Sequence, residues 1–380
     1  MIQNRPASMT TKPTIGIAGG GLLGRLLAWR LLRLGCTVSV YEQDEAGVNR
    51  SAGWTAAGMI SPMSELVSAE PDIFAWGMES LRIWPAWIQA LTSETGCPVS
   101  FSKQGSLVVA HPRDEAELRQ FKQDIRRKLT GLPEGASIET RLEDLDAGGL
   151  QRHEPALSGH LKSGFYLPEE GQVHSRELMM ALHQAIVTRG GHWYAGTPVA
   201  AVEPGRLVVG SHDIAFDWTI DVRGMGARHA LPQLRGVRGE VMLIESREVH
   251  FLRPIRLMHP RYKLYVVPRS GHQLFIGATE IESEDYSPIS LQSSLELGSA
   301  LYTLNPALAE ARILESASNC RPALPDNLPC IRVEPGYLAL NGCYRHGYLL
   351  APALIEKSLA QLPFIQQLIH PMSPEAAPCL

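Results

Sequence analysis

Between Thr14 and Glu42 the chain sets out, in order, an apolar run, a glycine cluster, a leucine-rich periodic stretch, a second apolar run and an acid. Thr14-Ile-Gly-Ile-Ala18 suits a buried strand. Gly19-Gly20-Gly21-Leu22-Leu23-Gly24 matches G-x-G-x-x-G. Leu22, Leu23, Leu26, Leu27, Leu31 and Leu34 follow at helical spacing, and Gly35 supplies the C-terminal stop. Thr37-Val-Ser-Val-Tyr41 is a second strand that runs into Glu42. The order predicts a strand–helix–strand unit, the opening of an α/β fold.

Each part has a use in a dinucleotide site. Gly19 permits the tight strand-to-helix turn, Gly21 lets backbone approach a pyrophosphate, and Gly24 lets the helix lie close to the strand. The helix N-terminus, at Leu22 and Leu23, offers free N–H groups and a positive dipole to phosphates. Glu42, followed by Gln43, stands ~20 residues on, where a carboxylate accepts hydrogen bonds from the adenosine ribose and repels a 2′-phosphate. That argues against NADP, while NAD and FAD share the unit. The next segment, Arg50-Ser-Ala-Gly-Trp-Thr-Ala-Ala-Gly-Met-Ile-Ser-Pro62, is rich in Gly, Ala, Ser and Thr. Such backbone can lie against a flat ring, which favours FAD, although composition alone reads equally well as an ordinary loop.

At about 150 residues per domain, 380 residues make roughly two and a half domains. With 44% hydrophobic and 19% charged residues the chain can bury a large core, and intrinsic disorder is excluded. A net charge of −4 with scattered Lys and Arg leaves no footprint for nucleic acid. The six cysteines form no C-x-x-C pair and no histidine cluster has metal-ligand spacing, so no metal site is expected. Reduced thiols fit a cytoplasmic protein. Met1 to Pro13 lacks the apolar core of a signal peptide, and no apolar run approaches the ~18 residues of a membrane span. Met9 offers an alternative start, with Met1 to Ser8 as a disordered extension.

Further motifs follow along the chain. Ala56-Ala57-Gly58-Met59 comes after the acid, and Gly171-Gln-Val-His174 opens a helix expected over Arg176 to Ala185. Thr197-Pro-Val199 is followed by Trp218-Thr-Ile-Asp-Val222 and the small-residue turn Arg223-Gly-Met-Gly-Ala227. Tyr265-Val-Val-Pro268-Arg269 and Leu274-Phe-Ile-Gly-Ala-Thr279 form a Y-x-x-P-R and G-A-T pair. Cys320-Arg321-Pro322-Ala-Leu-Pro-Asp326-Asn327 matches R-P-x-x-P-D, and Leu340-Asn-Gly-Cys-Tyr-Arg345-His-Gly-Tyr-Leu-Leu-Ala-Pro352 matches G-x-x-R-x-G-x-x-L-A-P. In this order, from about Thr14 to Leu359, the chain resembles the D-amino-acid oxidase superfamily of flavoproteins, and within it the glycine oxidases of thiamine biosynthesis.

The resemblance implies FAD contacted by Gly19, Gly21, Leu22, Leu23, Gly24, Glu42, Gln43, Ala57, Gly58, Met59, Val199, Gly342, Arg345, His346, Gly347 and Tyr348. It also implies oxidative deamination of glycine or a similar small amino acid. Hydride passes from the α-carbon to flavin N5, the imine hydrolyses to glyoxylate and ammonia, and oxygen or another acceptor takes the electrons, oxygen giving hydrogen peroxide. The flavin carries this chemistry, so no catalytic side chain is required. A planar guanidinium is the best clamp for the substrate carboxylate. Arg321 and Arg345 stand in motifs otherwise largely of Gly, Pro and apolar residues; the resemblance puts Arg321 first and leaves Arg345 between substrate and flavin. Tyr265 is the third carboxylate contact, with Tyr262 its competitor. Met59 and Ser61 line the pocket over the ring, core packing being the rival role for Met59. On its own residues His346 reads as a hydrogen-bonded structural histidine.

The chain departs from the family pattern in places. Asn319 stands where sarcosine-oxidase relatives tether flavin through cysteine, with Cys320 its neighbour, so FAD is expected to be held noncovalently. Lys263 stands where glycine oxidases can carry histidine, and Gly53 and Trp54 interrupt the small-residue run.

The expected architecture is a Rossmann-type FAD-binding domain assembled from residues 1–90, 151–228 and 315–380. An α+β substrate domain, on a mostly antiparallel sheet, is inserted as residues 91–150 and 229–314. Three functions compete: a glycine oxidase feeding the thiazole branch of thiamine biosynthesis, a flavin oxidase or dehydrogenase of sarcosine or D-amino acids, and a flavoprotein serving a partner protein. The resemblance implies a homo-oligomer, with thiazole synthase as a partner.

Overall fold

The computed structural model describes residues 12–133, 135–260 and 264–365; the readings on Met1, Met9, Tyr262 and Lys263 lie outside them. The opening unit forms as β1 (Thr14–Ala18), α1 (Leu22–Arg33) and β2 (Thr37–Tyr41), with the two strands parallel from Thr14↔Thr37 to Ala18↔Tyr41. Each strand buries all but its first residue, as apolar runs do in a sheet covered on both faces. They sit inside a six-stranded sheet of order Cys330–Glu334, Tyr337–Asn341, Trp218–Asp221, β1, β2, His192–Tyr194, in which only Cys330–Glu334 runs antiparallel. Segments from the start, middle and end of the chain therefore share one sheet.

Helices α1, Pro71–Thr95, Ser175–Thr188 and Gly347–Ala360 contribute to the main core of this body. The Leu-Ala-Pro signature is a joint between two of them. Pro352 has no N–H for the Tyr348 carbonyl one turn back, and the Trp84 indole donates to it instead at 3.0 Å. The neighbouring Ala353 N–H donates to the Ser80 hydroxyl at 3.1 Å. A side chain at Gly77 would meet Leu349 Cδ1 at 2.7 Å, so the close crossing requires glycine.

The second body is an eight-stranded sheet of order Arg312–Ala323, Arg235–Glu245, Gln273–Gly277, Leu264–Pro268, Ile255–Met258, Ser106–Ala110, Ser163–Leu167, Glu143–Asp146. Every pairing is antiparallel except Ile255–Met258 with Ser106–Ala110. Ser163–Leu167 lies here although residues 151–228 were expected with the flavin segments. Phe165 and Leu167 are buried in one cluster with Leu118, Phe121 and Ile125 of the helix Glu115–Leu129, a partnership that no local pattern announces. Helix Pro71–Thr95 likewise runs past residue 90, and Arg312–Ala323 runs through residue 315.

A small sheet of Met59–Ile60, Gly171–Val173 and Phe101–Ser102 joins residues far apart in sequence. The helix expected after Gly171–Val173 spans Ser175–Thr188, capped by His174 Nδ1, which accepts from the Glu177 N–H at 3.3 Å. Val199 opens the strand Val199–Glu203 of a three-stranded antiparallel sheet with Arg206–Val209 and His212–Ala215. Among the described residues no helix is long and apolar enough to cross a membrane, and no cluster of three His, Cys, Asp or Glu could hold a metal ion.

Candidate active site

A cleft of about 890 Å³ runs from the turn before α1 to residues of the eight-stranded sheet, at the top of the ~300–1,000 Å³ usual for ligand sites. It brings together Gly19, Gly21, Leu22, Leu23, Glu42, Gln43, Ala57, Gly58, Met59, Ser61, Val199, Tyr265, Arg321, Gly342, Arg345, His346, Gly347 and Tyr348. Gly24 is not on its wall. A Cβ there would strike the Gly19 carbonyl, so this glycine serves the close helix–strand contact.

The end at the turn before α1 is made of backbone. Gly19 has φ +106°, and a Cβ on it would lie 2.6 Å from the Val222 carbonyl oxygen. Gly21 is different: nothing lies nearer its would-be Cβ than Ser51 Cβ at 3.7 Å, so a side chain there would enter the cleft. Helix α1 begins after Gly21 without a side-chain cap and without an acid in its first turn, which leaves its N–H groups for an anion. Glu42 is held beside the turn, its Oε2 accepting from the Gly20 N–H at 2.5 Å and its Oε1 from the Asp44 N–H at 3.0 Å. Arg223 pairs with Asp221 at 2.7 Å and donates to the Val199 carbonyl at 2.9 Å, tying that strand to the sheet. The sequence marked Arg223 only as the start of a turn, yet it lines the cleft.

In the middle of the cleft the small-residue wall is fixed from behind. Gly58 has φ +66°, and a Cβ would strike the Val173 carbonyl. Buried Arg269, of the Y-x-x-P-R motif, donates to the Ala57 carbonyl and to Gln172 Oε1 at 3.0 Å; burial depresses its pKa to about 10. Gly53 and Trp54 form the short helix Ala52–Thr55. The Gly53 carbonyl accepts from the Tyr348 hydroxyl at 2.8 Å, while Trp54 packs under Arg176, 5.2 Å from its ring centroid. Asn319 donates to the Arg50 carbonyl at 2.9 Å and to Thr55 Oγ1 at 3.0 Å. Its neighbour Cys320 is a buried free thiol whose pKa burial pushes up. Ser61 Oγ and His346 Nδ1 are buried without a hydrogen-bond partner among the described residues, and both residues line the cleft. The uncapped helix, the acid beside it, the small-residue wall and these orphaned polar atoms fit FAD.

The end at the eight-stranded sheet is made of side chains. Antiparallel pairing of Ile255–Met258 with Leu264–Pro268 sets Arg256 opposite Tyr265. Burial pushes the Tyr265 phenol upward in pKa, against the pull of Arg321, Arg256, Arg345 and Arg269. Gly277 leaves room for this ring, because a Cβ would sit 2.9 Å from the Tyr265 hydroxyl. Arg321 extends over Gly239, where a Cβ would occupy the guanidinium's place. It donates to the backbone carbonyls of Thr279, at 3.1 Å from each terminal nitrogen, and Arg238, at 3.3 Å. It pairs with no carboxylate among the described residues.

Arg345 is the opposite case. It is bonded to Glu65, to Glu280 at 2.9 Å and to Ser68 Oγ at 3.1 Å, with His346 Nε2 3.5 Å from its Nε. Burial alone would raise the Glu65 pKa, but Arg345, the hydrogen bond with His346 and Arg256 hold it well below the carboxylate range. Burial likewise opposes the charge on Arg345, and Glu65 and Glu280 outweigh it. Glu65, Arg256 and Glu280 all line the cleft and were missed in the sequence. Only Arg256 left a signal there, as a lone cation in the apolar strand Ile-Arg-Leu-Met.

Fold and cleft together define a FAD-dependent oxidoreductase, and the chain belongs to the FAD dependent oxidoreductase (DAO) family, whose model matches residues 14–360. It is 36% identical over 338 residues to a putative thiamine biosynthesis oxidoreductase ThiO of Rhizobium etli, spanning 89% of this chain and 93% of that one. It is 27% identical to the bifunctional protein ThiO/ThiG of Synechocystis sp., over 97% of this chain and 54% of the longer relative. The crystal structure of glycine oxidase from Geobacillus kaustophilus superimposes with a TM-score of 0.78 at 26% identity, covering 94% of this chain and 95% of that one.

Proposed function

We propose that this chain is a FAD-dependent glycine oxidase serving the thiazole branch of thiamine biosynthesis. The carrying observation is Arg321, a guanidinium on the cleft wall that among the described residues donates only to backbone carbonyls and meets no carboxylate. A carboxylate completes it through paired, charge-assisted bonds. Tyr265, kept protonated by its buried surroundings, donates the further hydrogen bond. These two groups orient the amino acid, and Met59 and Ser61 shape the wall beside it. FAD, held noncovalently, supplies the two-electron acceptor that oxygen regenerates. The net reaction converts glycine, water and oxygen to glyoxylate, ammonia and hydrogen peroxide.

The same reading assigns the nucleotide to the body of the six-stranded sheet and the substrate to that of the eight-stranded one. It takes Cys320 as a bystander, since a thiol raised by burial is a poor nucleophile toward flavin. Fusion of the ThiO/ThiG relative supports a thiazole-synthase partner for the product. A cytoplasmic homo-oligomer suits this role. The test is anaerobic titration of the yellow protein with glycine, sarcosine, D-alanine and D-proline. Glycine should bleach the flavin band; a protein left oxidised by all four amino acids refutes the proposal.

A further inference from the structure

Resting on the reading above, we propose that Glu280 is a specificity-determining residue that restricts the site to amino acids bearing a single carboxylate. At the substrate end the cleft is lined by three guanidiniums, Arg256, Arg321 and Arg345, and two carboxylates, Glu65 and Glu280. Glu65 takes both Arg256, at 3.3 Å, and Arg345. Glu280 takes the remaining terminal nitrogen of Arg345 at 2.9 Å. Both terminal nitrogens of Arg345 are thus engaged, Nη2 by Glu65 and Ser68 and Nη1 by Glu280. Among these five described groups, three cations less two anions leaves one charge, and Arg321 is the cation with no carboxylate partner among the described residues.

A substrate with one carboxylate neutralises this end. A second carboxylate finds Arg345 already paired and meets the Glu280 charge at short range, where like charges repel strongly. Glu65 is buried and also holds His346 at 3.0 Å, so it is part of the frame. Glu280 is different, with its side chain 45% exposed and its chain position beside Thr279, whose carbonyl receives Arg321. Taking away its charge frees Nη1 of Arg345 for a second carboxylate without emptying a buried site.

Sarcosine and iminodiacetate test this directly, since they differ by a carboxylate on the N-substituent. In Glu280→Gln the ratio of kcat/KM for iminodiacetate over sarcosine should rise at least tenfold above the wild-type ratio. Both values come from one preparation, so a lower folded fraction cancels. A ratio that stays within twofold overturns the proposal. Binding gives an independent check on the unaltered protein: calorimetry should find malonate no tighter than acetate, and the order should reverse in Glu280→Gln. Malonate binding tenfold tighter than acetate to the wild-type protein also overturns it. If glycine, sarcosine, D-alanine and D-proline all leave the wild-type flavin oxidised, the oxidase reading itself fails; a bleaching protein with an unmoved ratio defeats only the role of Glu280.

Discussion

Beside the six-stranded sheet the cleft presents backbone: the turn at Gly19 to Gly21, the uncapped N–H groups of α1 and the wall at Ala57 and Gly58. Toward the eight-stranded sheet it presents Tyr265 and charged side chains, drawn from a short helix, Pro62–Leu66, from three strands and from the loops carrying Glu280 and Arg345. The first kind of site is specified by what must be absent, since any Cβ at Gly24 or Gly58 collides with backbone. The second is specified by what must be present and how it is balanced. Adding atoms should therefore break one end, and removing charge the other.

The largest effect is expected from Gly24→Val. Its side chain meets the Gly19 carbonyl, which cannot move without opening the turn. The variant should fail to retain flavin, read as loss of the absorbance near 450 nm in the purified protein. Retention of stoichiometric FAD would show that the turn has slack. Next comes Arg321→Ala, which should lower kcat/KM for glycine by about 10²- to 10³-fold, the ~3–4 kcal/mol typical of truncating one partner of a buried charge pair. Flavin content should hold, so steady-state kinetics and absorbance together separate the two ends.

A smaller change follows from Tyr265→Phe. Losing one hydrogen bond of about 0.5–1.5 kcal/mol should reduce kcat/KM roughly 2- to 12-fold. A drop as large as that of Arg321→Ala would transfer the main carboxylate contact to the tyrosine.

The smallest effect concerns stability in the eight-stranded body. Glu154 is fully buried; its Oε2 accepts from the Leu252 N–H at 2.8 Å and its Oε1 has no partner among the described residues. Burial raises its pKa to about 7. Below pH ~4.5 the carboxyl is protonated both folded and unfolded and costs nothing. Between pH ~4.5 and about 7 the folded protein holds the proton more tightly, so its stability falls as pH rises, and above that the loss is constant. Glu154→Gln should flatten this decline, raising Tm at pH 8 by a few degrees relative to wild type with little change at pH 5. Equal shifts at both pH values would rule out the titration.

These contrasts explain what could be read from the chain. The β1–α1–β2 unit was legible because its reasons are local: an apolar run, a glycine where φ is positive, a helix with leucines at one spacing and an acid at its known distance. Arg321 and Tyr265 were legible through motifs. Glu65 was not, because in Ser-Pro-Met-Ser-Glu-Leu it reads as a surface acid, and its partner Arg345 is 280 residues away. Arg345 was placed in the cleft without the carboxylates that hold its charge. Ser163–Leu167 lies within the 151–228 span expected with the flavin segments yet pairs in the eight-stranded sheet, since a strand's sheet is chosen by the face it buries and not by its own alternation.

The sequence alone therefore determined the α/β fold, the dinucleotide turn and the order in which its motifs enter the flavin family. Those features depend on backbone geometry and burial within a few residues of each position. Only the tertiary structure decided that Arg321, unlike Arg256 and Arg345, meets no carboxylate among the described residues. Net charge at a site is a sum over side chains from distant segments, and no local pattern along the chain carries that sum.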